Sequence, residues 1–168
     1  MRRTLPPVGS ALALLLLSVS ASAAEGDAAA LAGKLKEAKV SLQRGLSASA
    51  GQGKPISGKF EVEDGKLQLS VYTAKGDTFS EVIVDHETGK VTKAEPITSG
   101  DDLSAAKAQN DAMSKAKTSL SAAVGRALKE NKGYRAVSAT PSIKDGHPTA
   151  EIALLKGTES KTVSETLD

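Results

Sequence analysis

The stretch KFEVEDGKLQLSVYTAKGDTFSEVIVDHETGKV, residues 59–91, decides the fold. Phe60 and Val62, then Leu67, Leu69 and Val71, then Val82 and Val84 recur at every second position. That period sets one face of an antiparallel sheet on a core and leaves the intervening residues on the other face. Asp64-Gly65 reads as a two-residue hairpin turn, because such turns need positive φ. Strands are expected over 56–63, 66–72 and 78–84, with a loop over 73–77. Asp85-His86-Glu87-Thr88-Gly89 closes the block: Asp85 can accept backbone hydrogen bonds within the turn, and Gly89 can take the left-handed conformation. A fourth short segment starts over 90–94, and Pro96, Ser99 and Gly100 mark a linker.

Upstream, Leu31, Leu35, Ala38, Leu42 and Leu46 step by three and four, which predicts one helix over 24–50 with a single apolar stripe. Asp27 serves as N-cap or first-turn acid, and Gly51 and Gly53 as stops. Gly45 inside the helix costs on the order of 1 kcal/mol. Downstream, Asp101 or Asp102 caps a longer helix over 103–130, striped by Leu103, Ala106, Met113, Leu120, Val124 and Leu128, with Gly133 past its end. Strands over 136–143, 149–155 and 161–167 follow.

That order repeats the first. A shift of 81 lays Asp64-Gly65 on Asp145-Gly146, Lys75-Gly76 on Lys156-Gly157, Val62 on Ile143, Val71 on Ile152 and Val82 on Val163. A shift of 82 lays Leu31 on Met113, Leu42 on Val124 and Leu46 on Leu128. The chain therefore reads as α+β, a tandem repeat of a helix packed on a small antiparallel sheet. In the second copy Phe60, Leu67 and Val84 become Pro141, Pro148 and Glu165, so a shorter or irregular second sheet is expected.

Residues 1–23 read as an export signal: Arg2 and Arg3, the apolar run 11–19, and Ala21-Ser22-Ala23 for cleavage. The run is too short to span a bilayer, so no stable membrane insertion is expected once it is removed. The chain carries 22 basic and 20 acidic residues. Both signal arginines leave on cleavage, the mature charge is zero, and the electrostatic case for nucleic acid disappears. Phe60, Phe79, Tyr72 and Tyr134 are the only aromatics, too few for base or sugar stacking. An exported chain without cysteine must be held by packing or by a binding partner.

The first copy resembles a PepSY domain. The likeness rests on the helix, the strand pair around Asp64-Gly65 and above all the closing run from Val84-Asp85 through Thr88-Gly89-Lys90-Val91. It covers residues 34–97 and, more loosely, 116–168, which divides the chain into modules at 25–98 and 99–168. The resemblance implies small α+β modules found in metallopeptidase propeptides and bacterial envelope proteins, regarded as binding or inhibitory rather than enzymatic. No peptidase domain follows in the sequence, so restraint in cis is not expected.

Catalytic constellations are missing from the pattern. Glu61, Glu63 and Asp64 alternate with core residues and belong on the solvated face. No serine stands in a nucleophile elbow, and Gly51-Gln52-Gly53-Lys54 is too short to cradle phosphate. His86 and His147 sit at non-equivalent positions in or beside turns without further ligands, so neither a metal nor another cofactor is expected. Asp85, Thr88 and Gly89 form a turn motif whose residues serve the backbone. One outer patch remains: if Leu69 faces Val82, Tyr72 faces Phe79, and with Ile83 they make an apolar surface for a partner or for the second copy. The expectation is a periplasmic or secreted non-enzyme that binds a protein or peptide segment, with restraint of an envelope protease in trans as one form of that role. The alternative is a structural or sensory accessory of the envelope.

Overall fold

The computed structural model describes residues 21–168, with side chains from residue 28 onward. The export signal expected at 1–23 lies outside the described residues apart from the backbone of its last three, which open the first helix.

The two expected helices are each broken in two. Helix α1 (Ala21–Leu35) and α2 (Leu42–Ser49) replace the first, and α3 (Gly100–Lys115) and α4 (Leu120–Glu130) replace the second. Asp27 accordingly lies inside α1 rather than at its start. Serine caps restart the chain at both breaks. Ser41 Oγ accepts the Arg44 N–H at 3.2 Å, and Ser119 Oγ accepts the Ala122 N–H at 3.2 Å. Before each cap, two successive N–H groups turn to the sheet instead of to a preceding helical carbonyl. Lys39 and Val40 donate to the His86 carbonyl at 2.8 and 3.1 Å, and Lys117 and Thr118 to the Leu167 carbonyl at 2.7 and 3.0 Å. The apolar stripe survives the break: Leu35, Ala38, Leu42 and Leu46 are all buried.

Seven antiparallel strands form one sheet in the order β4-β3-β2-β1-β5-β6-β7. They are β1 (Lys54–Glu63), β2 (Lys66–Lys75), β3 (Thr78–Val84), β4 (Val91–Ile97), β5 (Arg135–Lys144), β6 (His147–Lys156) and β7 (Glu159–Thr166). The hairpin turns fall where positive φ was required: Asp64 stands at 49° and Asp145 at 51°, each followed by a left-handed glycine. Residues 73–77 are not a loop. Gly76, at φ 62°, makes a tight turn and Lys75 pairs with Thr78. Nor is 90–100 mainly linker, since β4 runs through Pro96 as an edge strand, where a missing N–H is tolerated.

The second sheet half is not shorter. Strands β5 and β6 have 10 residues each, as β1 and β2 do. Strands β1 and β5 pair only at Gly58↔Ala139 and Lys59↔Ser138, so Pro141 lies where they have parted and takes no donor from that junction. Helices α2 and α4 lie side by side on one face. A Cβ on Gly45 would sit 2.7 Å from Leu69 Cδ2, so the helix-weakening glycine is there for close approach of α2 to β2. Helix α3 covers the opposite face, reaching β1, β2, β5 and β6, while α1 packs against β1 and β2.

Candidate functional site

The Tyr72–Phe79–Ile83 patch does not form as expected. With Gly76 tightening the turn, the register moves by two residues: Leu69 pairs with Val84, Tyr72 with Glu81 and Ala74 with Phe79. Phe79 is buried with Ala74, and Ile83 is half-buried between Ser70 and Lys93. The three side chains share a face, as their alternation requires, but do not make a free apolar surface.

What gathers on that face is polar. The Tyr72 hydroxyl donates to Asp102 Oδ1 of α3 at 2.8 Å. Buried Ser70 places its Oγ 3.1 Å from Glu61 Oε1 and 2.8 Å from Glu81 Oε1, and accepts from Gln68 Nε2 at 3.0 Å. Lys59 pairs with Glu61 at 2.7 Å. A cleft of about 200 Å³ under α3 is lined here by Ser57, Lys59, Ser70, Tyr72 and Gln109. Burial, then the Asp102 hydrogen bond, then the carboxylates of Asp102, Glu81 and Glu61 push the Tyr72 phenol above its ordinary range. The tyrosine thus stays neutral and donates. Its role is to hold α3 on the sheet.

Asp85, Thr88 and Gly89 stand together in the closing turn. Asp85 Oδ1 accepts the Glu87 and Thr88 N–H groups at 2.9 and 2.7 Å, and Gly89, at φ 73°, donates to the Asp85 carbonyl at 2.8 Å. The Thr88 and Glu87 N–H groups, with the Thr88 hydroxyl, hold the Asp85 carboxyl below the usual range. Glu87 is lowered and Lys39 raised by their own pairing at 2.7 Å. Asp85, Glu87 and Thr88 are thereby engaged with the turn itself or with the α1–α2 loop, while His86 Nδ1 is buried without a hydrogen-bond partner. Among the described residues, no group of three or more His, Asp and Glu side chains could hold a metal ion, and no helix is long and apolar enough to cross a membrane.

Two kinds of feature escaped the sequence reading, a pair of cations that reach across the fold and an open strand margin. Arg135, at the start of β5, donates to the carbonyls of Leu35, Ala38 and Val40 at 2.8, 3.0 and 2.9 Å and lies 5.7 Å from the Phe60 ring centre. Burial alone lowers its pKa. Lys54, at the start of β1, reaches among the described residues only the Met113 carbonyl, at 2.8 Å, beside a cleft of about 370 Å³ lined by Leu46, Pro55, Met113, Thr118 and Leu120. The second feature is β7, an exposed margin of the sheet, regular over eight residues and free of proline. Its alternation of Lys161, Val163 and Glu165 was visible in the sequence; its place at the sheet margin was not.

No family model matches the chain, and no curated protein does. Among solved structures, one from Clostridium difficile 630, provisionally described as a lipoprotein, is similar with a TM-score of 0.42 and 13% identity, over 68% of this chain and 75% of that one.

Proposed function

We propose that this chain is an exported, non-catalytic binding protein built from two PepSY-like copies, which takes up an extended segment of another envelope protein, a protease being the partner class, along a sheet edge. Support for the two copies comes from recurring local geometry. Ser41 and Ser119 cap helices 78 positions apart, and the buried set Leu42, Gly45, Leu46 and Ser49 recurs at the same spacing as Leu120, Ala123, Val124 and Ala127. This spacing replaces the expected shift of 82. Four residues are close to one helical turn, so the longer shift kept the same face and misplaced the turn. The strands keep the spacing of 81: the left-handed turns do, and so do the bulges beside Ile56 and Val137. The difference of three residues is taken up by α4, with 11 residues to the 8 of α2.

The observation that carries the binding role is the β7 margin. Edge strands present unpaired N–H and C=O groups, and natural sheets blunt them with proline, bulges or charge. Strand β4 has Pro96, a register irregularity and a self-contained Lys93–Glu95 ion pair at 2.8 Å. Strand β7 has neither proline nor bulge, its charged Lys161 and Glu165 are engaged with Asn131 and Arg126, and such an edge gains a strand through main-chain hydrogen bonds.

Thr162→Pro and Val163→Pro test the reading. Neighbouring residues aim their N–H groups to opposite sides, so one substitution breaks the β6–β7 ladder and the other blocks only the outer edge. The variant that keeps the parental melting temperature is the edge-blocked one. Tagged wild-type protein is expected to retain an extended polypeptide from the exported fraction that the edge-blocked variant loses. Equal retention by both overturns the edge as the binding surface.

A further inference from the structure

Strand β7 is self-complementary. Lys161, Val163 and Glu165 point to the α4 side, where Lys161 Nζ meets Asn131 Oδ1 at 2.5 Å and Glu165 pairs with Arg126 at 2.9 Å. Ser160, Thr162, Ser164 and Thr166 occupy the other side. An antiparallel copy of the same strand, related by a two-fold axis through Val163, sets Val163 on Val163, Lys161 opposite Glu165, and Thr162 opposite Ser164. Opposite charges, paired hydroxyls and matched apolar residues are the cross-strand pairs that stabilise antiparallel ladders. Moving the axis to Thr162 would instead place Glu159 opposite Glu165, so the composition selects one register.

The chain already contains a junction of this type. Strands β1 and β5 meet antiparallel at Gly58↔Ala139, residues 81 positions apart and therefore equivalent under the proposed duplication. Strand β3, the counterpart of β7, is covered on its far side by antiparallel β4. Among the described residues no strand pairs with the outer edge of β7.

We propose that β7 pairs with β7 of a second copy about a two-fold axis at Val163, joining two sheets into one and masking the binding edge until the dimer dissociates. The proposal rests on the reading of β7 as the binding edge and adds its regulation. An isologous contact of this kind closes at two copies and does not propagate.

Sedimentation of the purified chain without its expected export signal, over two decades of concentration up to about 200 µM, is expected to show a concentration-dependent dimer. Lys161→Glu and Glu165→Lys each turn two symmetric attractions into repulsions and should weaken the dimer about tenfold or more. An equimolar mixture of the two variants restores both pairs and should dimerise again, as should the double variant. Recovery by mixing excludes simple misfolding, and circular dichroism of each variant checks the same point. A monomer at every concentration overturns the proposal, as does a dimer indifferent to the single reversals or a mixture that stays monomeric. These readouts concern the pure protein alone, so they fail separately from retention of a foreign segment by the edge.

Discussion

Tyr72 joins two layers through a single hydroxyl. Its orientation on the face opposite Val71 was legible from the period of two in β2. Its partner was not, because Asp102 lies 30 residues away across a helix whose position depends on tertiary packing. The raised pKa makes this contact sensitive to alkali with a definite sign. A folded-state pKa above the unfolded value gives stability that is fully present below the ordinary tyrosine range, about 10, and lost as pH climbs from there toward the folded value. The wild type should therefore lose stability above about pH 10 through this group. Tyr72→Phe removes the donor, leaves Asp102 to solvent, and should cost about 1 kcal/mol near neutrality. Its decline above the tyrosine range should be shallower than the parent's. Thermal unfolding against pH checks both parts, and an unchanged alkaline slope refutes the contact as the source.

Turns and caps explain which elements could be read. Asp64-Gly65, Asp145-Gly146 and Gly89 announce themselves because positive φ restricts the residue types, and all stand in that region. The helix breaks do not announce themselves, because Leu35, Ala38 and Leu42 keep helical spacing across a non-helical loop. Ser41 and Ser119 were the available signals, each directly before a leucine that starts the new apolar face. The end of α1 is tightened by the Glu37 and Ala38 N–H groups on the Lys34 and Leu35 carbonyls, and the next two, of Lys39 and Val40, go to the His86 carbonyl that the Asp85 turn presents. The turn and the break are thus one device. Asp85→Ala removes the acceptor that orders the Glu87 and Thr88 backbone, so both the turn and the α1–α2 loop should loosen. Hydrogen exchange at Lys39, Val40, Glu87 and Thr88 should quicken while that in β5 and β6 is unchanged. A depressed carboxyl pKa contributes stability above the unfolded value, near 4, that is lost as pH falls through the folded one. Asp85→Ala should therefore flatten the loss of stability below about pH 4. Equal acid sensitivity in parent and variant would count against that turn as its origin.

At the scale of the whole molecule, two arms cross between the halves. Arg135 of β5 holds the carbonyls that follow α1, and Lys54 of β1 holds the last-turn carbonyl of α3. Lys54 and Arg135 are 81 positions apart and their first acceptors, Leu35 and Met113, are 78 apart, the same two spacings as the strands and the helices. No local pattern reveals such arms, since a charged residue at a strand start looks like any surface cation, and the joining of β1 to β5 rests on two pairs, Gly58↔Ala139 and Lys59↔Ser138, that no sequence pattern announces. The arms differ in reach. Arg135 spreads a planar fork over three carbonyls and the Phe60 ring, whereas Lys54 is a point charge that engages one, with the cleft of about 370 Å³ beside it. At the helix spacing of 78 positions Ala38 and Val40 fall on Ala116 and Thr118, both lining that cleft. Exchanging the residues should therefore act with opposite signs. Arg135→Lys gives up the fork and exposes unpaired carbonyls at a half-exposed site, costing about 1–2 kcal/mol. Lys54→Arg has room to reach Ala116 and Thr118 as well as Met113, and should add about 0.5–1 kcal/mol. Chemical denaturation of the two variants at neutral pH measures both. A loss in each would mean that the carbonyls around the cleft do not form the second cradle, and that the two arms are not counterparts.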